Sequence, residues 1–381
     1  MDFTLTKEQN LMQELFKKFA ETEVKPLAEI IDEEERFPEE NLKKFAECGF
    51  MGIPFPKEYG GQGADNLSYS MCVEEMAKVC ATTAVIISAH TSLCCQPIFQ
   101  FGTEEQKQKY LVPLAKGEKL GAFGLTEPGA GTDSSMQQTT AVLDGDEYVL
   151  NGTKVFITNG GYADTYVVIA MTDKSKGNRG ISAFIVEKGT PGFKFGKKER
   201  KMGIKGSATC DLIFENCRIP KENLLGKEGQ GFKIAMQTLD GGRIGIASQA
   251  LGIAEGALNE CIAYTKERKQ FGKTIAQFQN TQFELAEMAA KIESCQLILR
   301  KAASEKDAHR PYGHLSAMAK LLCAELASDV TRRCLQLFGG YGYTRDYPME
   351  RMMRDAKITE IYEGTSEVQK IVISNWLKLG K

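Results

Sequence analysis

The sequence has little histidine, no excess of charge of either sign and no long hydrophobic run. In its 381 residues, 48 Lys and Arg stand against 50 Asp and Glu, for a net charge of −2. Proteins that bind nucleic acid through its phosphates are usually strongly basic, so we expect no nucleic-acid partner. The longest weakly polar run, 79–89, falls short of the ~20 residues of a membrane-spanning helix, so we expect no membrane insertion.

Metal and disulfide chemistry have little support. Only three His are present, and the one close His–Cys pair, His90 and Cys94, has no second pair to complete a four-ligand zinc site. The eleven Cys are scattered, odd in number and without a C-x-x-C spacing, which is typical of reduced thiols. The first residues show neither a signal peptide nor an Arg-rich transit segment. We therefore expect a cytoplasmic protein without a metal.

Several widespread catalytic patterns are also missing. The sequence has no G-x-x-x-x-G-K-[ST] phosphate loop, no G-x-G-x-x-G after a predicted strand, no G-x-S-x-G and no H-E-x-x-H. These absences argue against a P-loop NTPase, a Rossmann dinucleotide site, an α/β-hydrolase and a zinc protease.

What is present divides into three segments, in line with the two or three domains that this length predicts. Residues 1–120 have a helical pattern. Leu11, Leu15, Phe16 and Phe19 recur at a spacing of three to four and predict one apolar helix face.

The middle segment, 121–230, has the pattern of a β domain. Two turn dipeptides, Asp144-Gly145 and Asn151-Gly152, flank a short β-rich run and predict a hairpin. Further β-rich runs follow at short spacing, at 166–170, 181–186 and 210–214. The pattern favours a small antiparallel barrel or sandwich over a parallel βαβ sheet.

Residues 231–381 return to helical periodicity. Apolar residues repeat at steps of three and four from Leu285 to Leu299, and a similar pattern runs from Leu315 to Val330. Two long amphipathic helices joined near Pro311 are typical of an antiparallel bundle. The predicted fold is therefore α+β and mostly helical, with an N-terminal helical domain, a middle antiparallel β-barrel-like domain and a C-terminal four-helix-bundle-type domain.

A Gly-Ala-Gly loop is the first candidate binding element. The segment 125–133, Leu-Thr-Glu-Pro-Gly-Ala-Gly-Thr-Asp, offers backbone N–H groups and the hydroxyls of Thr126 and Thr132 to an anion or a ring edge. Taken alone, a plain loop between two domains is the stronger interpretation of this segment.

An aromatic strand end is the second candidate. Phe156, Ile157 and Thr158 precede the turn Asn159-Gly160-Gly161. An aromatic side chain at this place is able to cover a flat cofactor, while an ordinary core residue at a strand end explains the pattern equally well.

The third candidate is the C-terminal run 361–369. Ser366 and Gln369 have the spacing of a capping box, which predicts that a helix begins here. The N–H groups at a helix start favour a nearby anion, such as a pyrophosphate or the Glu363 carboxylate. Glu363 beside Gly364 is placed to reach into a cleft, and a solvated loop glutamate is the alternative.

Taken together, these segments resemble the acyl-CoA dehydrogenase family over essentially the whole chain. Segment 125–133 is similar to the first signature of that family, and 336–343 followed by 361–369 is similar to the second. The stretches 58–63 and 266–272 are also typical. The sequence is most similar to bacterial short-chain, or butyryl-CoA, members. The resemblance implies a homotetramer built as a dimer of dimers, with domains at 1–120, 121–230 and 231–381.

The resemblance also implies bound FAD. Arg268 would meet the pyrophosphate from an adjacent subunit, because a guanidinium suits that group, and a surface salt bridge is the alternative. The remaining FAD contacts implied by the family are Phe123, Leu125, Thr126, Gly131, Thr132, Phe156, Ile157 and Thr158 around the flavin, Gln279 near the pyrophosphate, Gln336, Leu337, Gly339 and Gly340 near the adenosine, and Thr365, Ser366 and Glu367 near the phosphates. The implied substrate contacts are Thr132, Asp240, Arg243 and Gly364.

Glu363 matches the catalytic base of the family. The implied reaction transfers the α-proton of an acyl-CoA thioester to this carboxylate while a hydride leaves the β-carbon for FAD, giving a trans-2-enoyl-CoA. Hydrogen bonds to the thioester carbonyl, from the backbone N–H of the base and from FAD, stabilise the developing charge. The electrons would then pass to an electron-transfer flavoprotein.

Some branches of the family place their base just before the Arg that matches Arg243. Here that position is Gly242, so the resemblance assigns the role to Glu363 and predicts that position 242 also faces the substrate. Three alternatives stay open. They are an acyl-CoA oxidase, which is usually longer, an enoyl-CoA reductase that runs the reaction in reverse, and a non-catalytic flavin-binding scaffold.

Overall fold

A computed structural model describes residues 4–379 of the protein. A group of N-terminal helices, a central sheet and a group of long C-terminal helices follow one another along the chain. The N-terminal helices are α1 (Lys7–Phe19), α2 (Ala28–Glu33), α3 (Glu39–Glu47), α4 (Asn66–Ala77), α5 (Ala81–Ser88), α6 (Gln96–Phe101), α7 (Glu104–Gln106) and α8 (Val112–Ala115).

The buried face of α1 differs from the predicted one. Phe16 and Phe19 are buried, whereas Leu11 and Leu15 are 58% and 51% exposed. The inward stripe is Met12, Phe16 and Phe19, at steps of four and three, and Leu15 lies about 100° around the helix from Phe16. The prediction that all four residues share one buried face was therefore wrong for the two leucines.

One apolar stretch passes through the centre of the protein. The run Ala81–Phe101 is the only one among residues 4–379 that is long and apolar enough to cross a membrane, so the apolar stretch is longer than the run 79–89 that the sequence analysis identified. Of its 18-residue apolar portion, 72% is buried inside the fold, as in the core helix of a globular domain. It joins α5 to α6 through a π-helical segment, Ala89–Cys95. Within it, the Nδ1 of His90 accepts a hydrogen bond from the N–H of Gly121 at 3.0 Å, and burial lowers the pKa of His90 to about 4.

The central sheet has eight strands and is mostly antiparallel. Its order is β6-β7-β3-β2-β4-β5-β8, with β1 beside β4, and the pairs β1–β4 and β2–β4 are parallel. The strands are β1 (Gly121–Gly124), β2 (Thr140–Asp144), β3 (Glu147–Thr158), β4 (Thr165–Met171), β5 (Ile181–Glu187), β6 (Phe193–Phe195), β7 (Thr209–Pro220) and β8 (Leu224–Leu225). A separate small hairpin is formed by β9 (Lys269–Gln270) and β10 (Lys273–Thr274).

Only one of the two predicted turn dipeptides forms a turn. Strands β2 and β3 are joined at Asp144-Gly145, which confirms the first. Asn151-Gly152 instead lies inside β3, where the pairing with β7 shifts register. Gly152 is required there because a Cβ would clash with Thr139 on the neighbouring chain segment. A dipeptide typical of turns therefore marks a bulge in a long strand.

The C-terminal helices include the two that the periodicity predicts. Helices α10 and α11 are joined around Pro311. They stand with α9, α13 and α14 in one packed group, together with the short α12. The bounds are α9 (Gly231–Glu267), α10 (Gln279–Asp307), α11 (Gly313–Phe338), α12 (Gly340–Tyr343), α13 (Met349–Ile358) and α14 (Ser366–Trp376).

Helix α9 is the longest element, and its full length is not apparent from periodicity. It is enclosed on most sides, so it has no single apolar face to produce a 3.6-residue pattern. Gly252 and Gly256 allow it to approach α4, because a Cβ at either position would clash with the backbone carbonyl of Glu74 or Lys78. The glycines of α9 therefore serve close helix packing.

Candidate active site

Glu363 lies in a left-handed turn between α13 and α14. Its φ is 52° and that of Gly364 is 91°. Because a residue with a Cβ rarely adopts a positive φ, other groups must hold the turn. The Nε2 of Gln369 donates to the carbonyls of Gly364 at 2.7 Å and Glu363 at 3.3 Å, and the Nζ of Lys320 on α11 donates to the Gly364 carbonyl at 2.7 Å.

The helix that follows the turn begins where predicted, with a different cap. Thr365 is the N-cap residue, and its hydroxyl accepts a hydrogen bond from the N–H of Val368 at 3.4 Å. The predicted capping box of Ser366 with Gln369 was wrong, because the Gln369 amide turns back to the carbonyls of the turn. The Ser366 hydroxyl is buried without a hydrogen-bond partner among residues 4–379, and Glu367 is exposed.

The Glu363 carboxylate lies against α9. A Cβ built on Gly242 would lie 3.0 Å from Cδ of Glu363 and closer still to Oε2, and 2.8 Å from a methyl group of Leu93. Burial raises the pKa of Glu363 to about 7, opposed by the positive charges of Lys320 and Arg243. Its Oε2 is buried and has no hydrogen-bond partner in the described part of the chain. The arrangement is that of a carboxylate able to exchange a proton near neutral pH.

An ion pair on α9 borders this carboxylate. The Nη1 of Arg243 donates to Oδ1 of Asp240 at 2.6 Å, and its Nε is buried without a partner within residues 4–379. Burial raises the pKa of Asp240, and Arg243 opposes that rise. The structure therefore brings the predicted substrate contacts Asp240, Arg243 and Gly364 together with Glu363. Thr132, the remaining one, is exposed in the loop between β1 and β2.

Two of the predicted flavin segments are joined by a backbone hydrogen bond. The N–H of Val155 donates to the carbonyl of Thr126 at 2.8 Å. Phe156 follows with a φ of 59° and is 64% exposed, while Ile157 is buried and Thr158 half-buried. An aromatic ring left open at the end of a strand suits the face of a flat cofactor. Phe123 and Leu125, at the end of β1 and just after it, are buried in one hydrophobic cluster.

A buried ion pair that sequence analysis missed supports the 125–139 loop. The Nζ of Lys154 on β3 lies 2.6 Å from a carboxylate oxygen of Glu127 and also donates to the carbonyl of Leu125 at 3.3 Å. Both charged side chains are almost fully buried. Gly129 and Gly131 at the tip have no neighbouring atom within 4 Å of a built Cβ. The loop therefore has a fixed base and an open tip.

A cavity of about 630 Å³ lies where the adenosine half of FAD was predicted. Arg268 lies 5.5 Å from the ring of Tyr341, and no carboxylate in the described chain forms an ion pair with it, so the alternative of a surface salt bridge is not realised. The cation, the ring and the open glycine backbone fit a pyrophosphate and an adenine. The predicted residues that line the cavity are Arg268, Gln336, Leu337, Gly339 and Gly340. Gln279, the first residue of α10, is exposed and does not line it.

Family models match nearly all of the chain. The acyl-CoA dehydrogenase N-terminal domain matches residues 6–118, the middle domain 122–217 and the C-terminal domain 229–378. The fold and these matches define a FAD-dependent oxidoreductase with a sheet between two helical parts. The chain belongs to the acyl-CoA dehydrogenase family.

Three known proteins show the degree of similarity. The chain is 65% identical to the short-chain specific acyl-CoA dehydrogenase of Clostridium acetobutylicum, over 98% of this chain and 99% of that protein. It is 54% identical to the acryloyl-CoA reductase (NADH) of Anaerotignum propionicum, over 98% and 95%. A chain in the solved structure of the electron transferring flavoprotein of Acidaminococcus fermentans has a TM-score of 0.99 at 58% identity, with both chains fully covered.

Proposed function

We propose that the protein is a short-chain acyl-CoA dehydrogenase, which converts an acyl-CoA thioester to the trans-2-enoyl-CoA. The carboxylate of Glu363 is the observation that carries the proposal. Its Oε2 is buried and unpaired, its pKa is raised to about 7, and it lies against the backbone of Gly242. Removal of a weakly acidic α-proton requires a base whose pKa lies near the working pH.

In this proposal Glu363 accepts the α-proton and also presents a hydrogen-bond donor. Its backbone N–H has no acceptor among residues 4–379, so it is available to the thioester carbonyl, where negative charge develops. The turn that orients this N–H is the one held by Lys320 and Gln369. When bound, FAD supplies the two-electron oxidation.

Three groups of residues would hold FAD. Thr126 and Phe156, which are brought close by the hydrogen bond from Val155 to Thr126, would contact the flavin, and Arg268 would pair with the pyrophosphate. The adenosine would enter the cavity at 336–340. The other proposed contacts are Phe123, Leu125, Gly131, Thr132, Ile157, Thr158, Gln279, Thr365, Ser366 and Glu367.

Polar bridges near Glu363 support a short acyl chain. About two turns after Gly242 on α9, the Nε2 of Gln249 donates to the carbonyl of Ala81 at 2.9 Å. The Oε1 of Gln249 accepts a hydrogen bond from the hydroxyl of Tyr362. Gly245 on the same helix packs against Ser88. In this proposal, these contacts between α5, α9 and the turn limit the room for a long apolar chain.

We also propose a cytoplasmic homotetramer that passes electrons to an electron-transfer flavoprotein, without membrane insertion or nucleic-acid binding. Large apolar side chains of the C-terminal part are at least half exposed in one chain, which supports self-association. They are Phe271, Phe283, Tyr343 and Trp376. The described cysteines are all free thiols, which agrees with a reducing compartment. The domain limits of 1–120, 121–230 and 231–381 remain part of the proposal.

A second candidate is an enoyl-CoA reductase with the same site. The 54% identity to an acryloyl-CoA reductase favours it, because the same base and cofactor can serve either direction. The two directions differ in the physiological electron donor or acceptor.

A single anaerobic experiment tests the proposed function. We expect the purified protein to be yellow, and butyryl-CoA added without oxygen to bleach the flavin. Acryloyl-CoA added with NADH should then show whether the protein supports the reverse reaction. Oxygen admitted afterwards should show whether the reduced flavin is reoxidised with continued turnover of butyryl-CoA, as in an oxidase. A yellow protein that no acyl-CoA bleaches would contradict the proposal and favour a non-catalytic scaffold.

A further inference from the structure

Lys320 on α11 carries a buried ammonium group close to the turn of Glu363. Its side chain is fully buried, and its Nζ donates to the carbonyl of Gly364 at 2.7 Å. In residues 4–379 no carboxylate lies within 4.0 Å of this Nζ. A buried cation without an ion-pair partner is costly, so a lysine here is not explained by packing alone.

The charges around Lys320 come from three elements. Glu363 and Glu360 lie on the segment after α13, Glu367 lies on α14, and Arg243 lies on α9. Burial lowers the pKa of Lys320 to about 8, and Glu363 opposes that change. The ammonium is therefore the main form at neutral pH.

Two tyrosines and one arginine complete the surroundings of Glu363. Tyr69 on α4 is buried and Tyr362 in the turn is partly buried, and burial raises the pKa of each well above its usual value. Neither supplies charge at neutral pH. Lys320 and Arg243 are thus the two cations that act on Glu363, and Lys320 has the larger effect on its pKa.

We infer that Lys320 is a positioning residue for the base, an inference that rests on the proposed role of Glu363. It holds the left-handed turn through the Gly364 carbonyl and places a positive charge beside the Glu363 carboxylate without occupying the oxygens of that carboxylate. A direct ion pair would take up a lone pair that the α-proton needs. Without any cation, the buried carboxylate would be protonated over more of the working pH range.

Two substitutions separate the hydrogen bond that Lys320 makes to the turn from the positive charge that it places near Glu363. Lys320→Met keeps most of the volume and removes both the donor and the charge. Lys320→Gln removes the charge and keeps an N–H donor that can face the Gly364 carbonyl. Lys301→Met is the matched control, because Lys301 is an exposed residue of α10 and its loss changes the net charge equally.

The measurement is the rate of anaerobic flavin bleaching by butyryl-CoA, followed by stopped flow from pH 5.5 to 9. We expect the acid midpoint of the rate to move up by roughly one pH unit in Lys320→Met and Lys320→Gln, and to stay in place in Lys301→Met. At pH 6.5 such a shift lowers the rate up to about tenfold. We expect the plateau at high pH to fall further for Met than for Gln.

An unchanged midpoint in both variants would overturn the inference, even if both plateaus fell, because that result would describe a purely structural lysine. If Lys320→Met does not fold, the acid midpoint of Lys320→Gln alone decides the test. Glu363→Gln is run in parallel. Substantial bleaching by Glu363→Gln would contradict the proposed role of Glu363 as the base, on which this inference rests, whereas an inactive Glu363→Gln with an unshifted Lys320→Gln would contradict only the role of Lys320.

Discussion

Gly242 on α9 provides the space in which the Glu363 carboxylate lies. A Cβ on Gly242 would come within 3.0 Å of Cδ of Glu363 and closer to its Oε2. The two residues are 121 positions apart in the sequence, yet any side chain at 242 would compete with the carboxylate for one volume. This packing supports the prediction that position 242, like Glu363, faces the substrate, which stays a prediction.

This shared volume predicts the effect of exchanging the two residues. Gly242→Ala should displace the carboxylate and slow flavin bleaching by about 10²-fold, the cost of a misplacement of about 1 Å.

Glu363→Gly combined with Gly242→Glu should bleach faster than Glu363→Gly alone, since the new carboxylate enters the vacated space. The rates are compared by stopped flow under argon. No gain in the double variant, with FAD retained, would mean that position 242 does not face the substrate α-carbon.

The pKa of Glu363 predicts a pH-dependent stability. Burial raises this pKa from 4.5 to about 7, so the folded protein binds a proton that the unfolded chain has released. The free energy of unfolding should therefore fall as pH rises from about 4.5 to about 7. Glu363→Gln removes the cost of burying an ionised carboxylate. At pH 8 this variant should therefore be more stable than the wild type by up to about 3 kcal/mol, with little gain at pH 4.5.

Thermal unfolding of both proteins at the two pH values measures this effect. Glu293→Gln, at an exposed position of α10, is the control for the loss of one acidic group. Equal shifts of Tm at pH 4.5 and pH 8 for Glu363→Gln would contradict a raised pKa of Glu363.

The ion pair of Lys154 with Glu127 predicts a large loss of stability when one partner is removed. Lys154→Met leaves a buried carboxylate without its cation and should cost about 3–5 kcal/mol, with release of FAD as the 125–139 loop loosens. Adding Glu127→Gln should recover part of the loss. Lys194→Met, which breaks the exposed pair with Glu215, should cost at most about 1 kcal/mol. Similar Tm values for Lys154→Met and Lys194→Met would refute this account of the loop.

Arg268 is expected to hold the pyrophosphate of FAD across a subunit interface. Arg268→Ala removes a charge-assisted hydrogen bond worth about 1.5–3 kcal/mol, so the Kd for FAD should rise at least tenfold and the tetramer should weaken. Lys269→Ala, at the next exposed position, is the control. FAD retention and subunit association are both read from gel filtration. Full FAD occupancy in a stable Arg268→Ala monomer would contradict both roles.

Local patterns were sufficient for the layout of the protein, whereas the choice of its candidate site also needed the resemblance to the family. The periodicity of α10 and α11, the β-rich runs and the helix start after Glu363 are properties of neighbouring residues, and the structure confirms them. The error at α1 came from counting adjacent apolar residues as one face. The error at Asn151-Gly152 arose because a bulge and a turn both favour glycine.

The supporting side chains could not be found in this way. Lys320 contacts the turn from 44 positions away, and Lys154 reaches Glu127 across 27. Each lies in an ordinary helix or strand pattern, and its role appears only when folding excludes water around it. The role of the α9 glycines in close packing likewise becomes apparent only in the folded protein, where the neighbouring elements approach them.

The central claim is that Glu363 is the base that removes the α-proton, and substitution by the isosteric amide tests it most directly. Turnover of Glu363→Gln with butyryl-CoA and a ferrocenium-type acceptor should fall by at least ~10²–10⁴-fold, the usual worth of a general base. FAD content and acyl-CoA affinity should change little, because the shape of the side chain is kept. A variant that retained a tenth or more of the wild-type turnover would contradict the assignment.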